Sequence, residues 1–319
     1  MKTIFCVMFA AGLLVGQGQG ASSSPIEVEM VPGRAGFARF HNREHAGNRI
    51  GYRFHEHTPM VEGTVPRDAR EAGIDVEREA RLASEFAARP GVPRYEIDVA
   101  EKEWAPQKWT FLLAPVADGI ELLLKVETRE TGLNSYYGVQ QCFRMSGATN
   151  IAWRQDVART PAFSEFDDWK ELENAGKAPV SLTYVLRRGG WEALPAGKET
   201  VGARTPLGVK LDLRRTGGKL AAMPKVGPYE ALMLAPVDDG LIARVSREGT
   251  WVSGIYWERT SHVTDHHPAD CLHSIVNIGG IPAHGRRVVR GKIYWFRGTT
   301  EDLRRKWERD FASTGGRKR

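Results

Sequence analysis

The sequence predicts an all-β protein, a large and mostly antiparallel β-sandwich with a few peripheral helices. Short runs of β-branched, aromatic and leucine residues recur along the 319-residue chain, and proline, glycine and Asp-Gly turns separate them. Helical spacing of apolar residues is convincing in only two places. A chain of this length can bury a large core, either as one β-domain or as two smaller ones.

Residues 1–20 are predicted to be a signal peptide. Lys2 precedes the short apolar run Thr3–Val15, and small residues precede a cleavage point at Ala21. The run is too short to span a membrane, and no later segment is long and apolar enough. Cys6 lies inside the run rather than just after it, which disfavours a lipid anchor. We therefore expect a secreted or periplasmic protein with no membrane span.

Residues 21–93 are predicted to form N-terminal strands and one helix that pack on the main domain. From Asp75 to Arg89, apolar residues recur at helical spacing, and Pro90-Gly91 ends the run. Alternation of apolar and polar residues predicts the strands Ile26–Val31, Ala35–His41 and Arg49–Phe54.

Residues 94–313 are predicted to be the β-sandwich domain, and residues 314–319 a disordered basic tail. The segment Leu113–Gly119 recurs as Leu234–Gly240, which predicts a similar hairpin in each half. A short helix or irregular element is expected at Phe163–Leu172, and a helix at Glu301–Phe311 with Thr299 and Asp302 as a capping pair. The expected strands are Tyr95–Val99, Lys108–Val116, Ile120–Thr128, Val180–Leu186, Val209–Leu213, Lys219–Met223 and Arg286–Phe296.

Two polar, aromatic-rich segments are predicted to be loops that line one site. The first covers residues 136–154, and the second covers residues 256–273, after a strand that starts at Trp251. In an exported chain, Cys142 and Cys271 suggest a disulfide that joins the two loops, with two separately buried thiols as the alternative.

The side chains of these segments are those that bind sugars, since aromatic faces pack on pyranose rings and polar groups meet hydroxyls. Histidine suits proton transfer because its pKa lies near neutrality. The candidate catalytic residues are His262, His266, Glu258 and Asp265. The candidate substrate-binding residues are Tyr136, Gln140, Gln141, Arg144, Asn150, Trp153, Arg154, Tyr256, Arg259 and His273. For single aromatics and histidines, core packing and solvated loops are the competing interpretations.

The sequence leaves several reactions open. A lyase would use Arg144 or Arg259 to neutralise a carboxylate, an epimerase would use Glu258, and a hydrolase would pair Glu258 with Asp265 or Asp270. A non-catalytic carbohydrate-binding protein is a further alternative. A metal-dependent enzyme would draw on His262, His266 and His273 with Asp265 or Asp270, and on His41 or His55. That spacing matches no strong template, so no metal or cofactor is predicted.

Composition argues against nucleic acid as a partner. The formal net charge of +6 is not concentrated in a basic stripe with interleaved aromatic residues. A moderately basic surface still attracts acidic polysaccharides. The motifs of serine hydrolases, zincins and thioredoxin-like proteins do not occur. The expected partner is a carbohydrate, and the oligomeric state stays open.

Three segments resemble exported bacterial proteins of the galactose-mutarotase-like superfold. They are Gly138–Arg144, Cys271–His273 and Arg290–Leu303, and the resemblance covers residues 95–312. It implies a sugar ligand and a site on the concave face of a sheet, in a group that includes mutarotases, polysaccharide lyases and glycosidase domains. The histidine and glutamate pattern of mutarotases does not align with this chain residue by residue.

Overall fold

A computed structural model describes most of the chain between residues 24 and 311. The described ranges are 24–30, 37–45, 49–58, 63–89, 91–99, 107–145, 181–197, 200–208, 232–233, 235–267 and 271–311. The predicted signal peptide and basic tail lie outside them, as do the elements predicted at 163–172, 209–213 and 219–223.

The described residues form sixteen strands and two helices, which confirms the predicted all-β class. In chain order they are β1 Ile26–Met30, β2 Phe37–Asn42, β3 Arg49–Thr58, α1 Val76–Ala87, β4 Arg94–Val99, β5 Gln107–Val116, β6 Gly119–Thr128, β7 Gly138–Arg144, β8 Thr183–Arg187, β9 Gly190–Ala193, β10 Thr200–Arg204, β11 Leu232–Met233, β12 Ile242–Val245, β13 Trp251–Trp257, β14 Thr260–His266, β15 Cys271–Asn277, β16 Arg286–Arg297 and α2 Thr300–Phe311.

The strands form two eight-stranded sheets. The first has the order β1-β2-β3-β7-β15-β14-β10-β11, and the second has the order β4-β5-β6-β16-β13-β12-β8-β9. Neighbouring strands run antiparallel, except that β10 and β11 are parallel. Because side chains alternate along a strand, each sheet directs every second residue toward the other sheet. Phe40, Ile50 and Phe143 from the first sheet share one core with Trp109 and Trp295 from the second.

The two helices cover the outer face of the second sheet. Helix α1 begins at the cap residue Asp75, whose side chain accepts a hydrogen bond from the backbone N–H of Arg78. Its Phe86 packs on a small cluster with Leu112 and Leu123. Helix α2 is held by a separate apolar cluster that contains Leu303, Trp307 and Phe311.

The predicted cap of α2 is confirmed. Asp302 accepts a hydrogen bond from the backbone N–H of Thr299 at 2.9 Å, and the Thr299 hydroxyl accepts one from the N–H of Asp302 at 3.2 Å. The backbone N–H groups of Thr299 and Asp302 each have a side-chain acceptor from the other residue, as in a capping box.

Gly291 permits close packing of a tryptophan on the neighbouring strand. It pairs with Trp257, and a Cβ atom at position 291 would lie 2.4 Å from Cδ2 of that ring. We expect Gly291→Ala to lower the free energy of unfolding by about 1–3 kcal/mol, because the buried ring must shift. Urea unfolding measures this. Gly189→Ala is the control, since nothing lies within 4 Å of its added Cβ atom, and equal effects of the two changes would contradict the proposed clash.

Two predictions about connections are wrong. The segment predicted to be a loop after Glu258 forms strands β14 and β15, and most of the first predicted loop that is described is strand β7. The second predicted hairpin does not form either, because β11 lies in the first sheet and β12 in the second. Good turn residues fix a local bend, but they do not decide which sheet receives the next strand.

Candidate functional site

The predicted site residues separate into three groups. One group lies on the outer face of the first sheet, on three adjacent strands: Gln140, Arg144, His262, His266 and His273. A second group, Asp265 and Gln141, lies on the opposite face of the same sheet, in the core. A third group, Tyr256, Glu258 and Arg259, lines a cavity near the turn between β13 and β14.

The outer-face group is ordered by hydrogen bonds between neighbouring strands. The Thr200 hydroxyl and Nδ1 of His266 are 2.5 Å apart, and the Thr264 hydroxyl and Nδ1 of His273 are 3.0 Å apart. The two imidazole centroids are 6.0 Å apart. Burial lowers the pKa of His266. The two segments predicted to line one site are paired in one sheet, as strands β7, β15 and β14.

Both cysteines belong to this face. Cys142, Cys271 and His273 are buried, and one donor atom from each lies within 4.8 Å of the others. The Nε of Arg144 donates to Sγ of Cys271 at 3.2 Å. Burial raises the pKa of the Cys271 thiol, but the Cys142 thiol and the Arg144 and His273 charges lower it more, so the net shift is well below the usual value.

The predicted disulfide is not formed in the structure. Strand pairing gives the reason, because Cys142 lies opposite His273 and Cys271 lies opposite Arg144. The two cysteines are thus diagonal neighbours, whose Cα atoms are about 7–8 Å apart in antiparallel sheets. That separation exceeds the usual disulfide range, so a bond would require backbone movement.

Asp265, a predicted catalytic residue, faces away from His262 and His266, and its Oδ2 lies 3.7 Å from Nδ1 of His267. It is fully buried on the core side of β14 and forms an ion pair with Arg244 at 2.7 Å. Gln141 also faces the core, where its Oε1 accepts a hydrogen bond from the Tyr52 hydroxyl at 2.6 Å. Since side chains alternate along a strand, Asp265 cannot share a face with His266.

A cavity of about 820 Å³ lies where the start of α1, the end of α2 and the β13–β14 turn come together. We call it the end cavity. Its volume is in the range of ligand pockets. Tyr256 forms part of its wall and packs edge-on against Trp307 and Phe311, with ring centroids 5.3 and 4.6 Å apart. The charged side chains that line it are Asp75, Arg78, Glu79, Asp238, Asp239, Glu258, Arg259, Arg287 and Glu308.

Two glutamates of the end cavity have different surroundings. Glu258 forms an ion pair with Arg78 at 2.7 Å, and its Oε2 accepts a hydrogen bond from the N–H of Arg290 at 3.2 Å. Glu79 is 4 % exposed and accepts a hydrogen bond from the N–H of Val288 at 2.8 Å. Burial raises the pKa of Glu79, although that hydrogen bond and the nearby arginines partly oppose the shift.

Two arginines face the same space. Burial, together with the charge of Arg287, lowers the pKa of Arg259 to about 10, and Glu79 opposes this shift. Burial also lowers the pKa of Arg287. Its Nε is buried and has no hydrogen-bond partner among the residues the structure describes. Arg259 is anchored through Nε, which donates to the carbonyl oxygen of Asn277 at 2.6 Å.

Sequence reasoning missed Arg78, Glu79 and Arg287. A signal for Glu79 was present, because it lies three residues after Val76 and seven before Phe86, on the apolar stripe of α1. A carboxyl group on the buried side of a helix needs a partner or a function. Nothing in the sequence pairs Arg78 with Glu258, which lies 180 residues further along the chain.

The remaining predicted residues are peripheral or outside the described ranges. Tyr136 is half-buried just before β7, and its backbone N–H donates to Oδ1 of Asn134 at 3.0 Å. Asn150, Trp153, Arg154 and Asp270 lie outside the described residues. In the described part of the chain, no helix is long and apolar enough to cross a membrane.

Comparisons with known proteins concern the fold. No family model matches the chain, and no curated protein matches it. Among solved structures it is similar to a "putative aldose 1-epimerase" of Escherichia coli K12, with 8% identity, a TM-score of 0.34 and coverage of 64% of this chain. The alignment covers 65% of that protein, just under two thirds of its length.

A second solved structure, the Slr1438 protein of Synechocystis sp. PCC 6803, has 8% identity and a TM-score of 0.38. The alignment covers 86% of this chain and 93% of that protein. At such low identity, no residue of either protein is carried over to this chain.

Proposed function

We propose that this protein is an exported carbohydrate-active enzyme that binds a sugar in the end cavity and transfers protons with Glu79 and Glu258. The observation that carries the proposal is the pair of glutamates in one ligand-sized cavity, one in an ion pair with an arginine and the other buried. Glu258 forms an ion pair with Arg78. Burial raises the pKa of Glu79. Two carboxyl groups in different environments can divide the acid and base roles of one reaction between them.

The other walls of the cavity suit a sugar. Tyr256 offers part of an aromatic surface on which the C–H face of a pyranose ring packs. Arg259 and Arg287 supply N–H donors for hydroxyl or carboxylate oxygens of the ligand. Asp238 and Asp239 add acceptors at a more exposed part of the lining. The set of hydrogen-bonding groups is therefore large for the volume, as a polyhydroxylated ligand requires.

The product that forms identifies the type of reaction. A lyase creates unsaturated ends, a hydrolase creates new reducing ends, and an epimerase exchanges anomers without cleavage. We expect screening of the full mature chain against neutral and acidic polysaccharides and free sugars to give one of these three products. Binding without any product would instead favour the non-catalytic carbohydrate-binding alternative.

Variants then locate the site. We expect Glu258→Gln to lower turnover roughly 100-fold or more, since a positioned acid or base contributes that much. Glu248→Gln, in the exposed turn after β12, is the matched control and should keep full turnover. His262→Gln and His266→Gln test the histidine-assisted chemistry predicted from the sequence. If these two variants abolish turnover while Glu258→Gln retains it, the reaction occurs on the outer face of the first sheet and the end cavity is not the site.

A further inference from the structure

The outer face of the first sheet contains a second cluster that the proposed function does not use. Cys142 lies on β7, and Cys271 and His273 lie on β15, so the three side chains belong to two directly paired strands. All three are buried, with 2% exposure for Cys142 and 3% for His273. Two sulfurs and one imidazole nitrogen within 4.8 Å of one another are donors that can reach one ion.

We propose that Cys142, Cys271 and His273 bind a thiophilic metal ion, and that Zn²⁺ is the ion this donor set fits best. Zinc takes thiolate ligands at about 2.3 Å and imidazole nitrogen at about 2.0–2.1 Å. Two sulfurs bound to one tetrahedral zinc ion therefore lie about 3.8 Å apart. The three donor atoms lie within 4.8 Å of one another, so side-chain movements of about 1 Å or less bring them to this geometry.

The surroundings of the three donors are those of a metal site. Thr264 lies opposite His273 on β14, and its hydroxyl meets Nδ1 of that ring at 3.0 Å. Because this contact occupies Nδ1, Nε2 is the nitrogen available to the ion, and such partners fix the orientation of a ligand imidazole. The Nε of Arg144 donates to Sγ of Cys271, which stabilises negative charge on that sulfur.

The strand register favours a metal ion over a disulfide as the link between the two sulfurs. Diagonal cysteines on paired strands are too far apart at Cα for an unstrained disulfide, whereas an ion placed between the sulfurs spans the extra distance. A set of two cysteines and one histidine leaves one tetrahedral position for water or another ligand, as in some catalytic zinc sites. The inference does not depend on the end cavity.

Cobalt titration of the full mature chain tests the proposal. The protein is purified with reductant, stripped with a chelator and titrated with Co²⁺, which replaces Zn²⁺ and has visible absorption. We expect one Co²⁺ per chain, thiolate-to-cobalt charge-transfer absorption of the strength for two Co–S bonds, and tetrahedral d–d bands. Zn²⁺ should displace the cobalt. Wild-type protein that binds no cobalt, or shows no thiolate charge transfer, would overturn the proposal.

Variants identify the ligands. We expect tight cobalt binding to be lost in each of the three ligand variants, Cys142→Ser, Cys271→Ser and His273→Gln. The control is His262→Gln, on the outer face of the neighbouring strand β14, which should bind cobalt as wild type does. Thr264→Val keeps all three donors and should weaken metal affinity roughly 10- to 100-fold. Circular dichroism of each stripped variant establishes that it is folded. If the three ligand variants bind cobalt as tightly as wild type, the assignment is wrong.

Mass spectrometry of protein purified without reductant decides between the two uses of the cysteines. We expect two thiols and one bound metal ion. A Cys142–Cys271 disulfide, combined with no metal binding after reduction, would overturn the metal site. The saccharide screen is run separately on metal-loaded and metal-stripped protein, so failure of the metal site and failure of the proposed function give different results.

Discussion

Replacing Asp265 with alanine is expected to lower the free energy of unfolding by about 3–5 kcal/mol. Asp265 and Arg244 are both fully buried between the sheets. Arg244 Nη2 donates to the two carboxylate oxygens at 2.8 and 2.7 Å, and its Nε donates to the Thr183 hydroxyl at 3.0 Å. The Thr183 hydroxyl in turn donates to Asp265. Alanine leaves the guanidinium without its counter-charge in a buried site, which costs more than the ion pair itself contributes.

Urea unfolding followed by tryptophan fluorescence measures this loss. Asp238→Ala is the control, because Asp238 pairs at 3.5 Å with an Arg188 side chain that is 94% exposed, and such a pair contributes about 1 kcal/mol at most. Joint replacement of Arg244 by methionine and Asp265 by leucine should recover part of the loss, since it removes both charges. Retention of wild-type stability in Asp265→Ala, with loss of turnover, would instead support the catalytic role predicted from the sequence.

Glu79→Gln is expected to lower turnover by about 10²- to 10⁴-fold, which is the contribution of a general acid. Glutamine keeps the size of the side chain and can still accept the hydrogen bond from Val288, but it cannot deliver a proton. Steady-state kinetics on the sugar identified by the screen measures the effect. Glu77→Gln, on the exposed side of the same helix, is the control and should not change turnover. Equal turnover in both variants would remove Glu79 from the mechanism.

The raised pKa of Glu79 predicts how the stability and the turnover of the protein depend on pH. Because the folded state holds the proton more tightly than the unfolded state, stability due to this group is present at low pH and is lost as the pH rises through the folded-state pKa. Turnover of wild type should fall over the same pH range, since the acid form disappears. Glu79→Gln cannot ionise, so its stability should lack this decline. Urea unfolding of both proteins across the weakly acidic to neutral range measures the difference.

Local patterns predicted the elements that depend only on neighbouring residues. Runs of β-branched, aromatic and leucine residues at Lys108–Val116 and Arg286–Phe296 predicted β5 and β16 closely, and Thr299 with Asp302 predicted the cap of α2. The segment after Glu258 was misread because it is rich in polar residues and contains Pro268. Its polar side chains are in fact those of a strand whose outer face carries His262, Thr264 and His266.

The sequence by itself determined the fold class, the positions of most strands and the two segments that carry the polar side chains, because periodicity and turn residues act over a few residues. Only the tertiary structure decided which of these polar side chains lie next to one another. Sheet pairing brings Arg144 to Cys271 over 127 residues, and it directs Asp265 into the core while its neighbour His266 faces outward. The docking of α1 brings Arg78 to Glu258 over 180 residues. Such contacts depend on strand register and helix packing, for which a single sequence carries no local signal.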